Sequence, residues 1–130
     1  MKESLNVRLT RFIWKALACL PFGLLYFISD ILYLLLRYVL KYRYRVIEKN
    51  IRESFPEYSP DKRLEIINKY YHWLADYFVE AIKLAGMSSD ELKERMSFEG
   101  IEELEAYTRL GRSCALYLGH YGQWEWITSL

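Results

Sequence analysis

The chain has 130 residues, the length of one ordinary domain, with 52% hydrophobic and 17% aromatic residues and a formal net charge of +1. That total hides an asymmetry: residues 1–49 hold nine Lys/Arg against three Asp/Glu, whereas residues 50–130 hold nine against fourteen. The basic residues flank an apolar run instead of lining a polar groove, which excludes a nucleic-acid-binding face and points to a membrane contact joined to a more soluble part.

Residues 16–36 are apolar apart from Ser29 and Asp30. As one helix they would extend roughly 32 Å, about the thickness of a bilayer core. Pro21, Gly23 and Asp30 work against a simple span, so two arrangements stay open: a crossing, or a hairpin lying in one leaflet. A cleaved signal peptide does not fit, because no small-residue cleavage site follows the run and Arg37 abuts its end. Arg37, Lys41, Arg43 and Arg45, interleaved with Tyr38, Tyr42 and Tyr44, form a basic juxtamembrane cluster suited to anionic headgroups. Lys2, Arg8, Arg11 and Lys15 on the other flank leave the orientation open. Cys19 and Cys114 lie far apart without metal-ligand spacing and are expected as buried free thiols.

A second helix is expected over 46–55, stopped by Pro56. Ser59 as N-cap and Pro60 at the first helical position then open a long amphipathic helix ending at Gly86. Its apolar face is predicted to hold Leu64, Ile67, Tyr71, Leu74, Phe78, Ile82 and Ala85. His72 on that helix is expected as a surface or interfacial histidine, not a catalytic one. Ser89-Asp90 caps a short helical piece through Arg95. Residues 96–99 are a candidate strand, 101–110 an acidic amphipathic helix with Gly111 just past its end, and 113–118 an apolar run of strand length. From Gln123 a further helix is expected to begin. The order predicts an α/β pattern that is interrupted: a mainly helical N-terminal part, then an incomplete strand-helix-strand unit.

The apolar run delivers His120 into a Gly-bearing turn, and Glu125 follows it in the stretch His120-Tyr-Gly-Gln-Trp-Glu125. A histidine can take a proton from a hydroxyl near neutral pH, and a carboxylate on its other ring nitrogen fixes the tautomer and stabilises the imidazolium. A tight turn at Gly122 would fold Glu125, in the first turn of the next helix, back onto His120. Free N–H groups of that turn would face a developing oxyanion. No Ser or Cys nucleophile lies within the stretch, so direct transfer to a bound hydroxyl or amine is more natural than an acyl-enzyme. The spacing alone carries little, since acids are frequent here; the apolar run before it and the Gly and Trp within it give it weight.

This stretch resembles the H-x4-D/E motif of glycerolipid-type acyltransferases, and in detail the His-x-Gly-Asn-Trp-Glu form of the bacterial lipid A biosynthesis (lauroyl/myristoyl) acyltransferases. The resemblance takes in Asn50-Ile-Arg-Glu-Ser-Phe-Pro-Glu57, similar to that family's Asn-Leu-x-x-x-Phe-Pro-Glu, the Tyr77-Phe-Val-Glu80 helix, and Phe98-Glu-Gly100-Ile-Glu-Glu103. It covers most of the chain from Pro21 onward, and Gln123 replaces the more usual Asn. It implies residues 1–45 as a membrane-anchoring apolar helix with a basic flank, and 46–130 as the N-terminal portion of an acyltransferase domain. It also implies a bacterial inner-membrane location with the catalytic part facing the cytoplasm. The implied reaction transfers a fatty acyl chain from acyl carrier protein or coenzyme A to a hydroxyl of a lipid A precursor. His120 would be the general base and Glu125 its orienting partner, with no cofactor beyond the thioester co-substrate and no metal. Family members continue past this motif, so the expectation is an N-terminal part that is inactive by itself. Two alternatives stand beside it: an acyltransferase for another acceptor, such as a lysophospholipid or glycolipid, and a non-catalytic membrane-associated helical protein.

Overall fold

The computed structural model describes residues 4–129, which form two compact units, Met1–Gly86 and Met87–Leu130. The first is a set of four helices. Helix α1, Leu5–Ala18, is closed at its start by Ser4, whose hydroxyl accepts from Val7 N–H at 3.5 Å. It stops at Cys19 because Pro21 lies just beyond, and the chain re-enters a helix with Pro21 in extended backbone at the N-cap of α2, Phe22–Leu34. The apolar stretch 16–36 is therefore divided between two helices broken before Pro21, one of the residues that work against a simple span.

Helix α2 runs into a π-helical turn, Leu35–Val39, in which Leu40 N–H reaches the Leu35 carbonyl at 2.8 Å. The chain then corners through Lys41 and Arg43, both left-handed at φ +49° and +51°. That conformation crowds a side chain bearing a Cβ and costs roughly 1–2 kcal/mol per residue. Tyr71 holds the corner. Its hydroxyl donates to the Tyr42 carbonyl at 2.7 Å, and the ring is wholly buried (0% exposed). Helix α3, Tyr44–Ser54, follows and ends at Phe55 before Pro56.

Helix α4, Pro60–Leu84, begins as its sequence predicts: the Ser59 hydroxyl accepts from Lys62 N–H at 3.2 Å and Pro60 occupies the first turn. Its buried stripe is Ile67, Tyr71, Ala75, Val79 and Lys83. Leu64 and Phe78, expected on that face, are exposed. Small Ala75 and Val79 let α2 approach along a line that steps four residues at a time, which turns the predicted face partly out to solvent. Leu36, Ile47, Ile51, Ile67 and Tyr71 form the core between α2, α3 and α4, each buried aliphatic side chain contributing about 1.5–3 kcal/mol.

A line of polar and aromatic contacts joins α2 to α4, which run antiparallel. Lys83 Nζ sits 5.5 Å from the centre of the Phe22 ring, and Tyr26 donates to Glu80 at 2.9 Å. Ser29 donates to Asp76 at 2.6 Å, Tyr33 stacks on His72 at 3.6 Å, and Arg37 Nε donates to Asn68 at 2.9 Å. His72 is thus an exposed histidine in a structural stack, in keeping with its expected role. At the far end of α4, Gly86 lies against the end of α1, where a Cβ would meet the Ala18 carbonyl oxygen at 2.5 Å.

The second unit holds α5, Ser89–Arg95, capped by the Ser88 hydroxyl on Glu91 N–H at 3.1 Å, and α6, Ile101–Arg109. Gly111, at φ +69°, ends α6 in a Schellman arrangement: its N–H bonds Thr108 C=O at 2.9 Å, and Arg112 N–H bonds Tyr107 C=O at 3.1 Å. The expected strand-helix-strand unit does not form. Among the described residues there is no β-strand, and both 96–99 and 113–118 lack regular structure. A strand is defined by a ladder to a neighbour, and neither segment meets one. Cys19 and Cys114 are free thiols, but both are exposed, contrary to the burial expected for them.

Gly86→Ala should separate the ends of α1 and α4, seen as faster amide exchange in α1 and a lower urea midpoint. Tyr71→Phe should cost about 1–3 kcal/mol by orphaning the Tyr42 carbonyl. Burial raises the pKa of Tyr71, so its neutral form is favoured in the fold. Its stabilisation is complete below the ordinary tyrosine range near pH ~10 and fades as pH rises through the higher folded value. Urea unfolding at pH 8 and pH 11 should show an alkaline loss that Tyr71→Phe flattens.

Candidate active site

The local chain sets the position of His120. Residues 112–119 leave the Gly111 cap exposed and without regular structure, with Tyr117 at 97% exposure. The run then reverses in a three-residue turn closed by Tyr121 N–H on the Gly119 carbonyl at 2.9 Å. His120 is the central residue of that turn, a geometry frequent at the ends of extended segments. Its side chain stands exposed at the apex. Gly122 follows at φ +59°, a conformation that favours glycine, and redirects the chain into a 3-10 helix, Trp124–Ser129.

Glu125 lies half-buried in the first turn of that helix, and Trp126 beside it is buried. The ring contact of His120 is with Trp124, centroids 4.5 Å apart and planes tilted by 57°. An aromatic face here limits the orientations open to the imidazole while leaving its outer edge accessible. The expected α-helical start is therefore a tighter helix. Trp126 N–H bonds the Gln123 carbonyl at 3.2 Å, so it serves the turn and not an oxyanion.

Glu103, Leu104, Tyr107, Arg112 and Cys114 line an open groove between α6 and the extended run, and neither His120 nor Glu125 belongs to it. Both predicted site residues thus sit in one short turn-helix segment on either side of Gly122, with His120 exposed and Glu125 half-buried. Trp124 lies within the motif, but its packing against the imidazole is not among the sequence expectations. Its position four residues after His120 across a glycine is the signal that could have found it.

The chemistry open to this arrangement is proton transfer at an exposed imidazole beside a carboxylate-bearing turn. The family model described as bacterial lipid A biosynthesis acyltransferase matches residues 3–129. No curated protein and no solved structure matches the chain. The match takes in both the helical unit and the His120 turn, and on it the chain belongs to the bacterial lipid A biosynthesis acyltransferase family.

Proposed function

We propose that the chain carries the proton-transferring motif of an acyltransferase that moves a fatty acyl group from a thioester to a hydroxyl of a lipid A precursor. The observation that carries this reading is His120 at the exposed apex of its turn, five positions before Glu125, in a chain of this family. The donor is the thioester of acyl carrier protein or coenzyme A, and no other cofactor enters. The site faces the cytoplasm at the bacterial inner membrane. Residues 1–45 serve as the membrane-anchoring part and 46–130 as the N-terminal portion of the acyltransferase domain.

In this mechanism His120 takes the proton of the acceptor hydroxyl as its oxygen attacks the thioester carbonyl. The new C–O bond forms, the C–S bond breaks, and the imidazolium returns its proton to the departing thiolate. Glu125 orients the imidazole and stabilises its charged form. With a strand partner beside it, the run 113–118 would join an α/β sheet and direct His120 towards the acyl donor.

The test uses the natural gene product in isolated membranes, with an acyl thioester and a lipid A precursor. His120→Ala should reduce transfer by about a hundredfold to ten-thousandfold while membrane association is retained. Glu125→Gln should cause a smaller loss. Gly122→Ala, strained at φ +59°, should lower transfer through displacement of His120. Unchanged turnover in His120→Ala removes the general-base role, and transfer to a lysophospholipid or glycolipid but not to the lipid A precursor changes the acceptor.

A further inference from the structure

We propose that α2 does not cross the bilayer but lies in the plane of one anionic leaflet, with α4 on its water side and α1 as a second in-plane helix. This concerns how the chain meets the lipid and does not depend on acyl transfer. By length and composition, Phe22–Val39 could cross a membrane, and just 17% of it is buried. Its two faces decide between the arrangements. Leu24, Phe27, Ile31, Leu34, Leu35 and Tyr38 recur every three to four residues and are all exposed. At 100° per residue they form one stripe about as wide as an amphipathic helix needs. The opposite side holds Phe22, Tyr26, Ser29, Tyr33 and Arg37, each of which has a partner on α4.

Those five contacts bind α4 alongside the whole of α2. A crossing Phe22–Val39, about 27 Å long, would carry α4 from Asn68 to Lys83 through the hydrocarbon with it. His72, Asp76, Glu80 and Lys83 would then lie at bilayer depth, at about 2.5–3.5 kcal/mol for each charged group near the centre. An in-plane α2 places its apolar stripe among acyl chains and leaves the polar seam facing water.

Helix α1 points the same way. Leu5, Leu9, Phe12 and Ile13 share one stripe, and all are exposed, Phe12 at 70%. Arg8, Arg11 and Lys15 share a flank of that stripe, and Ala18 is the one buried residue of α1. A basic amphipathic helix with an uncovered apolar face suits a headgroup boundary. The charges also argue against crossing. Arg8, Arg11 and Lys15 precede α2, and Lys41, Arg43 and Arg45 follow it. A crossing helix orients by a basic excess on one side, whereas equal basic flanks suit two ends held at the same anionic surface.

The experiment expresses the full chain with Cys19→Ala and Cys114→Ala and a single cysteine, Gly23→Cys or Leu40→Cys, at either end of α2. Right-side-out and inverted inner-membrane vesicles are treated with a membrane-impermeant maleimide. Both positions should react in the same vesicle orientation. Reaction of one position in each orientation means that α2 crosses, and overturns the proposal. A nitroxide at Phe27→Cys, in vesicles of phosphatidylethanolamine and phosphatidylglycerol, should lie roughly 5–10 Å below the phosphates; a depth at the bilayer midplane or in bulk water also overturns it. Combined Arg8→Glu, Arg11→Glu and Lys15→Glu should weaken binding to these vesicles at least tenfold, and unchanged binding removes α1 from the contact.

Discussion

The hydrogen bond from Ser29 to Asp76, at 2.6 Å with Ser29 buried, is the constraint from which the first unit follows. A carboxylate brought against an apolar helix must keep its hydrogen bonds or shed its charge. One serine in α2 meets that demand, and it does so in one register. Sliding α4 by one residue would turn Asp76 away from Ser29 and break the contacts of Tyr26, Tyr33 and Arg37 together. Apolar packing alone tolerates such slips, because one leucine substitutes readily for another. The polar rungs therefore set the register, and small Ala75 and Val79 set the distance.

With α2 and α4 aligned, the connection between them has little freedom. The corner after the π-helical turn must return the chain to α3 within a few residues, which Lys41 and Arg43 achieve in left-handed conformations. Tyr71 and Arg37 hold that corner from both sides. The tyrosine hydroxyl bonds its carbonyl, and the guanidinium lies over the Tyr44 ring at 4.9 Å and the Tyr71 ring at 5.5 Å. Backbone strain is tolerated where the surroundings over-determine it, and here Tyr71 of α4 and Arg37 of the π-helical turn do so. The C-terminal ends of α1 and α4 are joined by the absence of a side chain at Gly86.

What could be read from the chain was local. Ser59-Pro60 and Gly111 announce helix ends through chemistry confined to a few residues, and the structure uses both. The seam was not legible in the same way. His72, Asp76 and Glu80 look scattered along α4, because their partners lie at the other end of the unit: Ser29 is 47 positions from Asp76, and Tyr26 is 54 from Glu80. The predicted apolar face of α4 erred for the same reason, since its burial answers to small residues facing α2. The apolar run 16–36 suggested one helix by composition, while the rigid φ and missing N–H of Pro21 divide it. Strands could not be settled locally at all. The run 113–118 has a strand's composition, but a ladder requires a neighbour that no property of those residues supplies.

That difference between local and non-local determinants bears on the His120 motif. The apex position of His120 is set by the Gly119–Tyr121 hydrogen bond, the left-handed Gly122 and the Trp124 ring, all within six residues. The motif therefore carries its own turn. The direction in which that turn points is a separate matter, because it is inherited from 112–119, an extended run with Leu116, Tyr117 and Leu118 exposed. An unpaired apolar segment of this kind gains most from strand pairing, which would bury one face and hold the backbone straight. A general base needs its proton-accepting atom within hydrogen-bond reach of the hydroxyl it deprotonates, and an error of 1 Å can cost a hundredfold in rate. The local turn can thus present the imidazole, whereas pairing of the run before it must aim it.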